Sequence, residues 1–180
     1  MNPANLITLG RLLSAPVSVW LILAGQFGAA FWTVVIAGLS DAVDGFVAKR
    51  FDLRTRIGAL LDPVADKTLL VSTYVTLGVA GQLPAWLVIL VVSRDLMIVG
   101  GFLLVQLLAA PTRSAPLMIS KANTALQIVL VVLTLARLAF ALDDHGLGVV
   151  LIYAVAATTV LSGAGYLVRW ARSLAGAEPA

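Results

Sequence analysis

Six stretches of predominantly apolar residues follow one another along this chain with little between them, and that pattern leaves it few ways to fold. They run over about 6–25, 28–50, 58–80, 84–107, 117–140 and 147–170. A helix needs about 20 such residues to cross the hydrocarbon core of a bilayer. The breaks fall at Gly25-Gln26, at the polar stretch Lys49 to Arg56, at Gly81-Gln82-Leu83-Pro84, at Pro111 to Pro116 and at Asp143-Asp144-His145-Gly146. In lipid every backbone polar group must be satisfied within the protein, so only helices and closed barrels can span. Barrel strands alternate in polarity over roughly ten residues, and no stretch here does. Composition agrees: 61% of the 180 residues are hydrophobic and 12% charged, against about 25% charged in a soluble domain. The expectation is an all-α polytopic membrane bundle of six transmembrane helices, forming a single domain over residues 1–180.

Lys and Arg set the orientation, because they favour the cytoplasmic connections. Lys49, Arg50, Arg54 and Arg56 lie between the second and third segments, Arg113 and Lys121 near the next break but one, and Arg169 and Arg172 near the C-terminus. The alternate connections lack Lys and Arg, and one is acidic at Asp143 and Asp144; Arg137 is a mild exception. Both termini are therefore expected in the cytoplasm, as an even number of spans requires. The first apolar run, Leu12 to Ala24, faintly resembles a signal peptide. Residues 1–10 carry no charged side chain, however, and it reads as a retained first helix. The chain has no cysteine, which excludes disulfides and thiolate metal sites.

Charged groups inside a span are costly and mark function by default. Asp41 and Asp44 lie in the second segment, Asp62 and Asp66 in the third. Spacings of three and four residues put each pair on one helix face. The far member of each pair, Asp41 or Asp66, stands about 12–13 Å from the connecting end of its helix, at 1.5 Å per residue. Antiparallel neighbours would thus bring four carboxylates to a similar depth. They cannot all ionise there unless cations neutralise them. Hard oxygen donors favour Mg²⁺ or Mn²⁺ over zinc, and four negative charges match two divalent ions, the usual clamp on a phosphoryl displacement. The bland alternative is that these acids pair with Arg94, Arg54 or Arg56 to hold the bundle. Gly45, Ala48 and Gly58 flank the same faces. Small residues serve close helix packing, or leave room for a flat base and a pyrophosphate.

The run Asp41-x-x-Asp44-Gly45-x-x-Ala48-Lys49-x₈-Gly58-x-x-x-Asp62-x-x-x-Asp66 resembles the signature of CDP-alcohol phosphatidyltransferases. One position departs: relatives usually carry Arg after the alanine, whereas Lys49 stands here with Arg50 behind it. Lys lacks the bidentate fork of Arg, so either residue is a candidate for the pyrophosphate. The resemblance implies that Asp41, Asp44, Asp62 and Asp66 hold two metals and that Asp66 also deprotonates the acceptor hydroxyl. It implies that Gly45, Lys49 and Thr55 line the CDP moiety. It further implies that Asn5-x-x-Thr8-x-x-Arg11 approaches the nucleotide, although Asn and Thr are also ordinary helix caps. A homodimer is expected on the same ground, and nothing points to nucleic acid.

Ser93-Arg94-Asp95 and the segment Ile119-Ser120-Lys121-x-Asn123-Thr124-Ala125-x-Gln127 are similar to stretches of eukaryotic-type cardiolipin synthases. Arg94, Arg113 and Lys121 are expected to hold an anionic acceptor beside the metals; the alternative for Arg94 is an internal ion pair with Asp95. The resemblance implies CDP-diacylglycerol as donor and phosphatidylglycerol as acceptor. Phosphatidylglycerolphosphate synthases, which use glycerol 3-phosphate, are the nearest alternative. A divalent-cation transporter is a rival of another class, but an ion path should continue to the far face, and these acids gather in one half. His145 lies at the opposite end and is assigned no chemistry. Trp20, Trp32, Trp86 and Trp170 fall near segment ends, as interface aromatics do. With no transit segment apparent, a bacterial inner membrane is expected, the site facing the cytoplasm.

Overall fold

In the computed structural model the backbone is described for residues 3–51, 56–108 and 118–174, and side chains for residue 10 and residues 12–40, 67–100 and 118–169. Helices run in the order α1 (Pro3–Leu23), α2 (Phe27–Phe51), α3 (Arg56–Val79), α4 (Ala85–Leu108), α5 (Met118–Phe140) and α6 (Leu147–Leu174). The all-α expectation is met: among the described residues there is no strand. The helix bounds fall within a few residues of the six apolar segments. Among the described residues, Met118–Phe140 and Leu147–Arg169 are each long and apolar enough to cross a membrane.

Two of the breaks seen in the sequence, at residues 25–26 and 81–84, are helix caps. At the end of α1, the Gly25 N–H donates to the Ile22 carbonyl and the Gln26 N–H to the Leu21 carbonyl. The end of α3 repeats the pattern, Gly81 to Gly78 and Gln82 to Leu77. This paired closure satisfies the last carbonyls and needs a left-handed residue. Gly25 and Gly81 both sit at φ 71°, where a Cβ would be strained. The carbonyl of Pro84 then accepts from the Leu87 and Val88 N–H groups to start α4.

The chain divides into two compact units, Met1–Val88 with Val131–His145, and Ile89–Leu130 with Gly146–Ala180. In the first, α1 packs against α2 and α3, and buried Ala15, Ala37 and Leu69 form a cluster with one residue from each. The polarity is inverted relative to a water-soluble fold. Trp20, Leu23, Ile36, Leu39 and Val79 are mostly exposed, while Ser18, Thr73 and Thr76 are buried. The Thr73 and Thr76 hydroxyls bond back to the carbonyls of Leu69 and Ser72 in their own helix, so their burial leaves no donor stranded. In the second unit Ile89, Leu96, Val160 and Leu161 are exposed, and Arg94, Asp95, Asn123, Thr159 and Ser162 are buried. Apolar surface this extensive calls for a covering other than water, and lipid is such a covering.

Candidate active site

The first unit carries the four aspartates. Asp41 and Asp44 belong to α2, Asp62 and Asp66 to α3; their side chains lie outside the described residues. Their levels along the helices are nevertheless set by the packing of Ala15, Ala37 and Leu69. Asp41 stands one turn beyond Ala37 on α2, and Asp66 stands three residues before Leu69 on α3. Four residues join Phe51 to Arg56, and five steps of extended chain reach at most about 18 Å. Both helices therefore travel from the packed layer to a shared end, and the backbone positions of Asp41 and Asp66 lie about 4–6 Å along their axes toward it. Carboxylate oxygens are a hard donor set, and their chemistry fits Mg²⁺ or Mn²⁺.

Other expected site residues fall as follows. Asn5 and Thr8 are on α1, Gly45, Ala48, Lys49 and Arg50 on the last turns of α2, and Gly58 on the first turn of α3; their side chains lie outside the described residues. Thr55 and Arg113 lie outside them altogether. Lys121 is exposed on α5, and Lys67, directly after Asp66 and absent from the sequence expectations, is half-buried on α3.

The second unit holds Arg94 in a buried polar network. Arg94 is 5% exposed and Asp95 1%. The Arg94 Nη1 donates to Asp95 Oδ1 at 2.6 Å. Its Nη2 donates to Ser120 Oγ at 2.6 Å and to Ser162 Oγ at 2.5 Å. Its Nε has no hydrogen-bond partner among the described residues. A buried charge is tolerable when it is paired and hydrogen-bonded, and here the opposite charge is the next residue. The ion pair entertained from the sequence thus exists, and it occupies one edge of the guanidinium only. One turn along α5, fully buried Asn123 accepts on Oδ1 from the Thr158 hydroxyl at 2.8 Å and the Thr159 hydroxyl at 2.9 Å. These bonds tie α5 to α6.

Ser162, Thr158 and Thr159 were not singled out from the sequence, and Asp95 entered only as a companion of Arg94. The signal was available: Thr158, Thr159 and Ser162 recur at helical spacing in an otherwise apolar helix, the pattern of a polar stripe turned inward.

A signature of paired aspartates on two consecutive helices, joined by a short basic connection, suits chemistry on a pyrophosphate. The CDP-alcohol phosphatidyltransferase family model matches residues 1–161. The chain belongs to this family. Among its curated relatives is a cardiolipin synthase (CMP-forming)/mitochondrial hydrolase fusion protein of Schizosaccharomyces pombe. It is 36% identical over 91% of this chain and 30% of the fusion protein. The cardiolipin synthase (CMP-forming) of Rattus norvegicus is 34% identical over 90% of this chain and 59% of its own length. A probable phosphatidylglycerophosphate synthase of Mycobacterium tuberculosis is 32% identical over 97% of this chain and 84% of its own length. The chain thus spans less than two thirds of the two cardiolipin synthases and most of the mycobacterial protein. Both acceptor readings have a relative of this CDP-alcohol phosphatidyltransferase behind them.

Proposed function

We propose that this CDP-alcohol phosphatidyltransferase moves the phosphatidyl group of CDP-diacylglycerol onto phosphatidylglycerol, giving cardiolipin and CMP. The observation that carries the reading is the aspartate signature, with Asp41 and Asp44 on α2 and Asp62 and Asp66 on α3, both helices leaving one packed layer toward a shared end. In this reading all six helices span the bilayer, both termini are cytoplasmic, and the catalytic end faces the cytoplasm. The inverted polarity of the described residues and the basic connections support it. The chain acts as one catalytic domain, paired in a homodimer, in the cell membrane of a bacterium; the mycobacterial relative is the support for that compartment.

Asp41, Asp44, Asp62 and Asp66 are the residues that would hold two divalent ions, Mg²⁺ or Mn²⁺. When bound, such ions stabilise charge on the transferred phosphoryl group and on the departing CMP. Asp66 takes the proton of the free glycerol hydroxyl of phosphatidylglycerol, for which a base must lie within hydrogen-bond reach. The hydroxyl oxygen bonds to the phosphorus that carries diacylglycerol. The bond from that phosphorus to the bridging oxygen of the pyrophosphate breaks, and the electron pair leaves with CMP. Lys49 or Arg50 neutralises the pyrophosphate; Gly45, Ala48 and Gly58 admit the base and phosphates close to the backbone; Asn5, Thr8 and Thr55 contact the nucleotide. Arg94, Arg113 and Lys121 hold the acceptor's phosphate.

The second reading keeps the reaction and takes glycerol 3-phosphate as acceptor, as the mycobacterial relative's name favours. Purified enzyme in mixed micelles, given CDP-diacylglycerol with one acceptor at a time, separates the two by the mass of the lipid product. Cardiolipin from phosphatidylglycerol is expected. Product from glycerol 3-phosphate alone would replace the first reading with the second. Cation flux into liposomes lacking CDP-diacylglycerol would point instead to transport.

A further inference from the structure

We propose that Ser162 is a positioning residue, which from α6 sets the guanidinium of Arg94 so that its Nε–H edge stays open to an oxyanion of the acceptor. The inference rests on the reading that Arg94 holds the acceptor, and it adds how that arginine is aimed.

A guanidinium has five N–H donors in a fixed plane. Asp95 takes one from Nη1, and the hydroxyls of Ser120 and Ser162 take both from Nη2. The Nε–H has no partner among the described residues, although Arg94 is only 5% exposed. A buried N–H of a charged group without an acceptor is unfavourable, and an incoming phosphate oxygen would remove that penalty. With both Nη2 protons engaged, the Nε–H is the donor left on that edge, and because it lies in the guanidinium plane, the orientation of the plane decides where it points. Two hydroxyls on one nitrogen fix that plane about both of its axes. Ser120 reaches Nη2 from the first turn of α5. Ser162 reaches it from α6 at 2.5 Å and is itself fully buried. Beside it, a Cβ placed on Gly163 would stand 3.9 Å from Arg94 Cγ, so the bare backbone of α6 passes close to the aliphatic stem. Each hydroxyl accepts from Nη2 and keeps its own proton to give to the same anion. Ser162 lies one residue past the segment that the family model matches, so membership in the family does not assign it.

Phosphatidylglycerol and glycerol 3-phosphate both bring a phosphate oxyanion, and steady-state kinetics with each acceptor distinguish the two sources. With the full chain in mixed micelles, Ser162→Ala is expected to raise the acceptor KM about tenfold, the effect of one hydrogen bond to a charged group. The KM for CDP-diacylglycerol stays unchanged. Ser162→Thr keeps the hydroxyl and is expected to recover most of the loss. Asn123→Ala, which removes a neighbouring α5–α6 tie without touching Arg94, lowers thermal stability but leaves the acceptor KM in place. The proposal is overturned if Ser162→Ala moves both KM values alike, if Ser162→Thr is as impaired as Ser162→Ala, or if Asn123→Ala raises the acceptor KM equally. Arg94→Gln separates this inference from the reading beneath it. An acceptor KM raised by Arg94→Gln but not by Ser162→Ala overturns the positioning role alone. An acceptor KM that Arg94→Gln does not move overturns the acceptor role of Arg94, and the positioning role with it.

Discussion

Arg94 in the second unit meets its counter-charge at the next residue, Asp95, and the remaining donors of Nη2 end on two hydroxyls. The helices α2 and α3 of the first unit are differently composed. Between residues 38 and 67 they and their connection carry Asp41, Asp44, Asp52, Asp62 and Asp66, and the basic residues Lys49, Arg50, Arg54 and Arg56 gather at the connecting end, with Lys67 directly after Asp66. Among the described residues, the Arg94 network pairs its charge at once and leaves only Nε over. The α2–α3 segment balances five acids against five bases but holds most of its bases toward the connecting end. On the proposed function, a charge lost from the first chiefly costs fold stability and one lost from the second chiefly costs turnover.

Removing one acid should show that difference at its largest. Asp66→Asn or Asp41→Asn is expected to cut CMP release by about 10³-fold or more, since on the proposed mechanism it removes the base or a metal ligand. The melting temperature in detergent should hardly fall. A variant that keeps near-normal turnover in a CMP-release assay would break the comparison on its functional side. The Arg94 network should respond in the reverse sense. Arg94→Gln takes from buried Asp95 the counter-charge that stands 2.6 Å away, and breaking a buried pair costs up to about 3–5 kcal/mol, read as a drop in melting temperature. Arg94→Gln with Asp95→Asn should recover most of the stability and none of the acceptor affinity. If the double variant melts as early as the single one, the pair is not the source of the loss.

Smaller effects test the packing of each unit. A Cβ at Gly78 would come 2.8 Å from Val88 Cγ2, so Gly78→Ala is expected to cost about 1–3 kcal/mol by overpacking. Val88→Ala in the same chain should relieve it, as thermal melts would show. Asn123→Ala should cost least, about 1 kcal/mol. Thr158 can turn its hydroxyl to the carbonyl of Ala154, while Thr159 loses the side-chain acceptor at 2.9 Å. A loss above about 3 kcal/mol would mean that Asn123 carries more than a tie between two helices.

Helix number and bounds were readable because each apolar run is as long as a helix and ends at residues that cap one. Gly25 and Gly81 announced their closures in the sequence, as did Pro84 the start of α4. Asp41, Asp44, Asp62 and Asp66 stand out as candidates because a carboxylate within an apolar run has no ordinary reason to be there, and their side chains lie outside the described residues. Singly, Ser162 and Thr159 do not, since a hydroxyl can satisfy itself on its own helix, as Thr73 does on the Leu69 carbonyl. The helical spacing of Thr158, Thr159 and Ser162 marks an inward polar face, but it does not tell which of these hydroxyls reaches across to a neighbour. Arg94 stood between these cases: its charge flagged it, but only the packing of α4, α5 and α6 residues shows three partners on its fork and none on Nε.

The capped breaks bear on how the chain gets into a bilayer. Only Ala24, Gly25 and Gln26 separate α1 from α2, and residues 80–84 separate α3 from α4. On the proposed topology these are the parts that must cross to the far side, and neither contains a charged side chain. Each helical hairpin can then slip in as one closed pin, drawing almost no hydrated polypeptide through the lipid. The link between α5 and α6, with Asp143 and Asp144, is the costly passage. Arg137 at the end of α5 meets Asp144 at 3.0 Å, so part of that charge is cancelled. Biogenesis of this protein should be least hindered at its first two hairpins and slowest at its third.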